Sequence, residues 1–174
     1  FIEHVGIPTL GALREAVDAL KELNMHRKVQ LIISGGIRSG ADVAKAIAMG
    51  ADAVSIGSAA MMALNCNAEL YVDDYKKLGT EPGYCHHCHT GRCPVGVATQ
   101  DPKLEERLNP VEGGKRIKNY LATLTLELQT LARANGKSDV RNLEPEDLAA
   151  LTVEAAAMAR VPLAGTDWIP GIKK

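Results

Sequence analysis

The sequence predicts an α/β fold in which parallel strands alternate with helices. Two short apolar runs, residues 29–33 and 53–56, are each followed by glycine and are rich in β-branched side chains, as buried strands are. Amphipathic helix patterns precede and separate these runs. A strand, a short loop, a helix and a second strand in succession form the repeating unit of parallel α/β proteins.

The helices around these strands have clear sequence signals. Apolar residues recur at helical spacing from Leu10 to Leu23, with charged residues on the opposite face. Ser39 and Asp42 have the spacing of a capping box, in which each side chain accepts a hydrogen bond from the backbone of the other residue. Gly50 suits the C-terminal end of the helix that Ser39 starts.

The second half of the chain is predicted to be irregular first and then helical. Residues 65–110 show no sustained periodicity, so we expect a long loop there. A leucine-rich stripe then predicts a helix ending at Asn135-Gly136, and a second helix is expected to start near Glu144-Pro145. That second helix would carry Leu148, Leu151, Ala155 and Met158, while Tyr71, Asp73, Asp74 and Tyr75 are expected at the surface of the loop.

Composition excludes several classes of function. The 174 residues contain 20 Lys and Arg against 21 Asp and Glu, so no charge excess favours nucleic acid or an anionic membrane. No apolar run is long enough to span a bilayer. Clustered cysteines in a chain without a signal peptide indicate a reducing compartment, and we expect a cytoplasmic protein.

Glycine follows both predicted strands, in the segments Ser34–Gly40 and Ile56–Ser58. Glycine allows the backbone to approach an anion closely, and a helix N-terminus adds N–H donors and partial positive charge. The loops after the last two strands of a (βα)8 barrel recurrently bind phosphate in this way. We therefore expect a phosphate site here, to which Arg38 would add charge; tight turns without a ligand are the alternative.

The four cysteines form a second signal. Cys85, Cys88 and Cys93 lie within nine residues among glycines, and Cys66 is nearby. Thiolates on irregular, glycine-rich backbone are typical of iron–sulfur clusters. Because His86, His87 and His89 lie between these cysteines, a structural zinc site remains an alternative, as do unmetallated or disulfide-bonded cysteines.

These segments together resemble the C-terminal half of the FMN-binding barrel domain of glutamate synthases. The resemblance covers residues 1–64 and 88–101, and its residues are Glu3–Pro8, Ser34–Gly40, Gly50–Ala53, Ile56–Ala60, Ala63-Leu64 and Cys93–Asp101. It implies the C-terminal part of a (βα)8 TIM barrel over residues 1–64, a cysteine-rich iron–sulfur loop over 65–110 and a helical C-terminal extension over 111–174. It also implies FMN, its phosphate held by Ser34, Gly35, Gly36, Ile37, Arg38, Gly57 and Ser58.

The family pattern also suggests cluster ligands. Cys88 and Cys93 match the last two cysteines of a three-iron motif in type and spacing, and Cys66 is the counterpart of the first. Residues 67–84 then look inserted and bring the extra Cys85. With Cys66, Cys85, Cys88 and Cys93 as candidate metal ligands, the resemblance leaves open a three-iron (3Fe-4S) or four-iron (4Fe-4S) cluster.

The resemblance implies reductive amination of 2-oxoglutarate to glutamate with nitrogen from glutamine. It implies glutaminase-type and other glutamate synthase subunits or domains as partners, with ferredoxin or an NAD(P)H-oxidising subunit as electron donor. Since a complete barrel needs about 250 residues, we interpret the chain as a piece of a larger flavoprotein and assign no catalytic residue.

Three alternatives differ in function. The insert and the lack of a glutaminase segment also resemble stand-alone subunits such as that of N-methylglutamate synthase. The two glycine turns resemble the IMP dehydrogenase group as well, but residues 3–10, where its nucleophilic cysteine belongs, contain no cysteine. A zinc-stapled interaction module without catalysis is the alternative of a different class.

Overall fold

The computed structural model describes residues 6–172 and confirms a mixed α/β chain. Its helices and strands are α1 (Thr9–Glu22), β1 (Ile32–Ser34), α2 (Gly40–Ala48), β2 (Ala53–Ser55), α3 (Ser58–Ala63), α4 (Val72–Lys77), α5 (Pro102–Glu105), α6 (Pro110–Ala134) and α7 (Val153–Ala159). Single 3₁₀ turns occupy Glu69–Tyr71, Cys88–Thr90, Val140–Asn142 and Pro145–Asp147. No helix within residues 6–172 combines the length and the hydropathy needed to cross a membrane.

The described residues fall into two compact units. The first contains the chain up to Ile56 together with the chain from Leu124 onward, and the second contains Gly57–Thr123. These boundaries separate groups of residues that pack together. The division predicted at residues 64 and 110 separates segments by their expected function, and it stays a prediction.

The first unit contains the predicted strand–helix–strand motif. β1 and β2 pair in parallel, with Ile32 opposite Ala53 and Ser34 opposite Ser55, and α2 connects them. Parallel pairing places the carboxyl ends of both strands at the same edge of the sheet. The chain therefore enters the turn after β1 beside the end of β2.

The strands are less buried than their apolar sequence predicts. Ile32 is 63% exposed, whereas Ile33 and Val54 pack against a core built around Leu13, Val17 and Met49. The described sheet has two strands, so only the side chains that point towards α1 and α2 are covered. The expectation of buried strands is thus wrong for the outward-facing side chains of the sheet described.

Helix α2 begins with half of the predicted capping box. The Ser39 hydroxyl accepts a hydrogen bond from the Asp42 N–H at 3.3 Å, as expected. The Asp42 carboxylate accepts from the Arg38 N–H at 3.1 Å rather than from Ser39. Gly50 follows the helix with a φ of 108°, a conformation that favours glycine.

The C-terminal helices differ from the prediction. Helix α6 ends before Asn135-Gly136 as expected, but Glu144 starts only a single 3₁₀ turn, at whose N-terminus the Asp147 carboxylate accepts from the Glu144 N–H. Leu148 follows in extended conformation and Leu151 precedes α7, so neither belongs to a helix. Thr152 caps α7 by accepting from the Ala155 N–H, which is why the helix starts later than predicted.

Candidate functional site

The turn after β1 has the backbone conformation that its glycines permit. Gly35 and Gly36 have φ values of 122° and 70°. A Cβ on Gly35 would lie 2.7 Å from Oγ1 of Thr9, whereas Gly36 has nothing within 4 Å of that position. These glycines line a cavity of about 300 Å³ with Thr9, Asp42 and Met158, among others. A small ligand group could approach the backbone at Gly36 without displacing protein atoms.

The N-terminus of α2 is already bonded to carboxylates. Gly40 donates its N–H to Glu127 Oε2 at 2.7 Å, and Arg38 donates its N–H to Asp42 Oδ2. These bonds occupy donors that the sequence analysis assigned to a phosphate. These two donors are therefore already in use, and phosphate binding by the backbone of residues 34–37 stays a prediction.

The second predicted phosphate turn belongs to the second unit. Gly57 precedes α3 as its N-cap residue and has open space at its Cβ position, and Ser58 is the first residue of the helix. Helix α3 has only six residues, so its dipole alone does not indicate an anion site. Phosphate binding by Gly57 and Ser58 together with the glycine turn after β1 stays a prediction.

The four cysteines of the second unit are free thiols that differ in burial. Cys93 is buried, Cys66 and Cys85 are half-buried, and Cys88 is exposed. Cys93 belongs to a core with Tyr75 and Val95, and Cys66 and Cys85 pack against that core. Three of the four thiols therefore lie in or against one small core, which we call the cysteine core.

The other thiols affect the pKa values of Cys66 and Tyr75. Burial raises the pKa of the Cys66 thiol, and negative charge on Cys88, Cys93 and Cys85 raises it further. Burial, followed by charge on the same four thiols, raises the pKa of Tyr75 to about 12. Each thiol is thus close enough to Tyr75 for its charge to be felt there.

Tyr75 corrects the expectation that this part of the loop lies at the surface. The segment folds as a 3₁₀ turn and α4, and Tyr75 has no exposed surface. Its hydroxyl donates a hydrogen bond to the carbonyl oxygen of Cys66. Tyr71, Tyr75 and Leu78 recur at helical spacing, and this short periodicity was the signal that could have predicted the helix.

Arg107 is a supporting residue that sequence reasoning missed. Its Nη1 donates to Asp74 Oδ2 at 2.8 Å and to the carbonyl oxygen of Pro94 at 2.7 Å. Its guanidinium lies 4.6 Å from the centre of the Tyr71 ring. Hydrogen bonds from Lys77 and then Arg107 lower the pKa of Asp74. Arg107 thereby connects α4 to the residue after Cys93.

The cysteine core suits a multi-iron cluster in its donor set. Within residues 6–172, no group of three or more His, Cys, Asp or Glu side chains is close enough to hold a single metal ion. In an iron–sulfur cluster, different thiolates bind different irons, so the ligand sulfurs are farther apart than around one ion. Three free thiols in or against one core, with Cys88 exposed at the start of a nearby 3₁₀ turn, offer a donor set of this wider kind.

The described residues thus define an α/β protein with a glycine turn at a parallel sheet edge and a core of converging thiols. Residues 1–138 match the model of a conserved region in glutamate synthase. The chain belongs to the glutamate synthase family.

Known relatives agree with this assignment. The chain is 61% identical over 171 residues to a glutamate synthase large subunit-like protein of Rhizobium meliloti, covering 98% of this chain and 39% of that protein. It is 41% identical over 143 residues to the archaeal glutamate synthase (NADPH) of Methanocaldococcus jannaschii, covering 82% of this chain and 25% of that protein. An archaeal-type glutamate synthase (NADPH) of Dehalococcoides mccartyi is 39% identical over 141 residues, covering 81% and 25%. The chain therefore spans between a quarter and two fifths of these relatives.

Proposed function

We propose that this chain provides the iron–sulfur site and part of the FMN site of a glutamate synthase-type oxidoreductase. The observation that carries the proposal is that Cys66, Cys85 and Cys93 meet in one core, with the exposed Cys88 close enough to raise the pKa of Cys66, in a member of this family. With FMN and the cluster bound, the complete protein would reduce the imine formed from 2-oxoglutarate and ammonia to glutamate.

The thiolates of Cys66, Cys85, Cys88 and Cys93 are the proposed cluster ligands. Three of them pack into or against the cysteine core, while Cys88 reaches the surface at the start of a 3₁₀ turn. Four ligands would hold a four-iron cluster, and three would hold a three-iron cluster. Tyr75 and Arg107 would hold the backbone of Cys66 and the segment after Cys93 in position.

In the first unit, the backbone of residues 34–37 is proposed to bind the FMN phosphate, with the exposed Arg38 guanidinium nearby. Support comes from the two positive φ values, the open space at Gly36 and the position of the turn at the carboxyl edge of β1. Gly57 and Ser58 are proposed from the family pattern alone. The exposed face of Ile32 supports a larger barrel, because a neighbouring strand would cover it.

The name of the Rhizobium meliloti relative favours a subunit of a larger assembly. We propose a glutaminase-type subunit or domain and an electron donor as partners. Two relatives are named as NADPH enzymes, which makes an NADPH-oxidising partner the first electron donor to test. Ammonia or methylamine would serve as the nitrogen donor, the latter in an N-methylglutamate synthase.

Metal and flavin analysis of the anaerobically purified full-length protein tests the proposal. We expect iron, acid-labile sulfide and FMN in fixed ratio to the protein, with the broad visible absorption of an iron–sulfur cluster. Stoichiometric zinc in a colourless protein would contradict it and support the zinc-stapled module.

Matched single variants then identify the ligands. Cys88→Ala and Cys93→Ala should both lower the iron content strongly, because both thiols are proposed ligands of the three-iron cluster and of the four-iron cluster. If the cluster has three irons, only one of Cys66→Ala and Cys85→Ala should do so; if it has four irons, both should. Retention of full iron content in Cys93→Ala would contradict the assignment.

A further inference from the structure

We propose that His87 donates a hydrogen bond through its Nδ1–H to a sulfur atom of the cluster and thereby tunes its reduction potential. This inference rests on the proposed iron–sulfur function. It assigns this role to His87 and none to His86 and His89, the other two histidines between Cys85 and Cys93.

One ring nitrogen beside the cysteines is buried without a partner among residues 6–172. His87 Nδ1 is buried and makes no hydrogen bond to any residue in the described range 6–172. Arg14 Nε is the other such side-chain atom there, but it lies 3.7 Å from a carboxylate oxygen of Asp18. A buried polar atom without a partner costs free energy, and nearly all such atoms in folded proteins are bonded.

The position of His87 indicates the partner. Cys85 lies two residues before it and Cys88 directly after it, so a group held by these thiolates would lie against the same segment. The backbone is held in place, since the His87 carbonyl accepts from the Thr90 N–H at 3.0 Å and from the Thr90 hydroxyl at 2.8 Å. The ring is thus attached to a fixed turn beside two proposed ligands.

The chemistry favours donation to sulfur over direct binding to iron. The second unit already offers four free thiols, three of them in or against the cysteine core, and four thiolates are sufficient for a four-iron cluster. Sulfides and thiolates have no proton to donate, so they can only accept, and an imidazole with its proton on Nδ1 can donate to them. His86 and His89 are exposed, so solvent can reach their rings.

A hydrogen bond to sulfur withdraws negative charge from the cluster and stabilises its reduced form. Hydrogen bonds to the sulfurs are among the features that set the reduction potential of iron–sulfur proteins. Removing the His87 donor should therefore lower the midpoint potential without removing a ligand.

Three variants of the full-length, cluster-containing protein separate these roles. His87→Leu removes the donor, while His87→Asn retains an N–H donor close to the position of Nδ1. His86→Leu is the matched control for loss of an exposed neighbouring ring. Each variant is analysed for iron and sulfide content, for midpoint potential by an electron paramagnetic resonance redox titration, and for magnetic coupling between the reduced cluster and ¹⁵N-labelled histidine.

We expect iron content to be unchanged in all three variants. The midpoint potential should fall in His87→Leu and stay close to the wild-type value in His87→Asn and His86→Leu. A weak ¹⁵N coupling should be present in the wild type and in His86→Leu and absent from both His87 variants.

Other results would overturn the inference. Equal potentials in His87→Leu and the wild type would exclude the hydrogen bond, and a strong coupling typical of an iron–nitrogen bond would show that His87 is a ligand. Loss of the cluster in His87→Leu and His87→Asn alike would also identify a ligand or a purely structural residue. In each case iron and sulfide in the wild-type protein would leave the proposed function standing, whereas a colourless zinc protein would end both.

Discussion

Tyr75 connects helix α4 to the cysteines. Its ring is fully buried against Cys93 and Val95, and its hydroxyl donates to the Cys66 carbonyl. Tyr84 has the same side chain but is 69% exposed. Comparing the same substitution at the two tyrosines therefore separates the effect of burial from the effect of losing a tyrosine side chain.

Truncation of Tyr75 should destabilise the second unit. Tyr75→Phe removes one hydrogen bond and keeps the ring, so we expect a loss of about 1 kcal/mol in the free energy of unfolding. Tyr75→Ala also empties the core position and should cost about 3–5 kcal/mol. Denaturant unfolding followed by circular dichroism measures both, with Tyr84→Ala as the control, expected within about 0.5 kcal/mol of wild type. Equal losses at the two tyrosines would contradict the burial of Tyr75.

The packing of α2 against α6 depends on the absence of a side chain at Gly40. A Cβ there would lie 2.4 Å from the Leu124 carbonyl oxygen and 2.6 Å from the Leu128 nitrogen. Both are backbone atoms of a long helix and cannot move independently. The Gly40 N–H also donates to Glu127, so the close approach joins the start of α2 to the side of α6.

Alanine substitution should have opposite effects at two helical glycines. Gly40→Ala should destabilise the protein by about 1–3 kcal/mol through overpacking. Gly114, in α6, has nothing within 4 Å of its Cβ position, and Gly114→Ala should stabilise by about 0.5–1 kcal/mol because alanine has the higher helix propensity. Thermal unfolding of the two variants measures the difference, and a Gly40→Ala protein as stable as Gly114→Ala would contradict the close approach.

The two units differ in what holds them together. The first unit has an apolar core of Leu13, Val17, Met49 and small side chains around them. The second unit is built around the smaller cysteine core and contains long segments outside its helices. A bound cluster would therefore contribute more to the stability of the second unit than to that of the first.

Removal of the cluster should loosen the two units unequally. After treatment with chelator and oxidant, backbone amides in Gly57–Thr123 should exchange hydrogen faster, because the thiolates lose their common ligand. Amides in α1, α2 and α7 should keep their protection. Hydrogen exchange followed by mass spectrometry before and after removal measures this, and an equal increase in both units would contradict it.

Local signals predicted much of the regular structure. Helical periodicity marked α1 and α6, Ser39 marked the start of α2, and β-branched runs with following glycines marked both strands. These features depend on neighbours in the chain. The helix α4 was missed because glycine, proline and cysteine around it hide a six-residue pattern.

The contacts that organise the candidate site depend on residues far apart in the chain. Arg107 reaches Asp74 across 33 residues, and Glu127 reaches Gly40 across 87. The exposure of Ile32 likewise depends on which elements cover the sheet and not on its own apolar side chain. No local pattern encodes such pairings.

The sequence by itself determined the α/β class, the strand–helix–strand order and the family, because spacing and residue type along the chain are sufficient for these. Only the tertiary structure decided that Tyr75 is buried among the cysteines, that carboxylates occupy the N-terminus of α2 and that His87 Nδ1 lacks a partner among the described residues. Burial and hydrogen bonding are set by the atoms that surround a group in space, and those atoms come from distant parts of the chain.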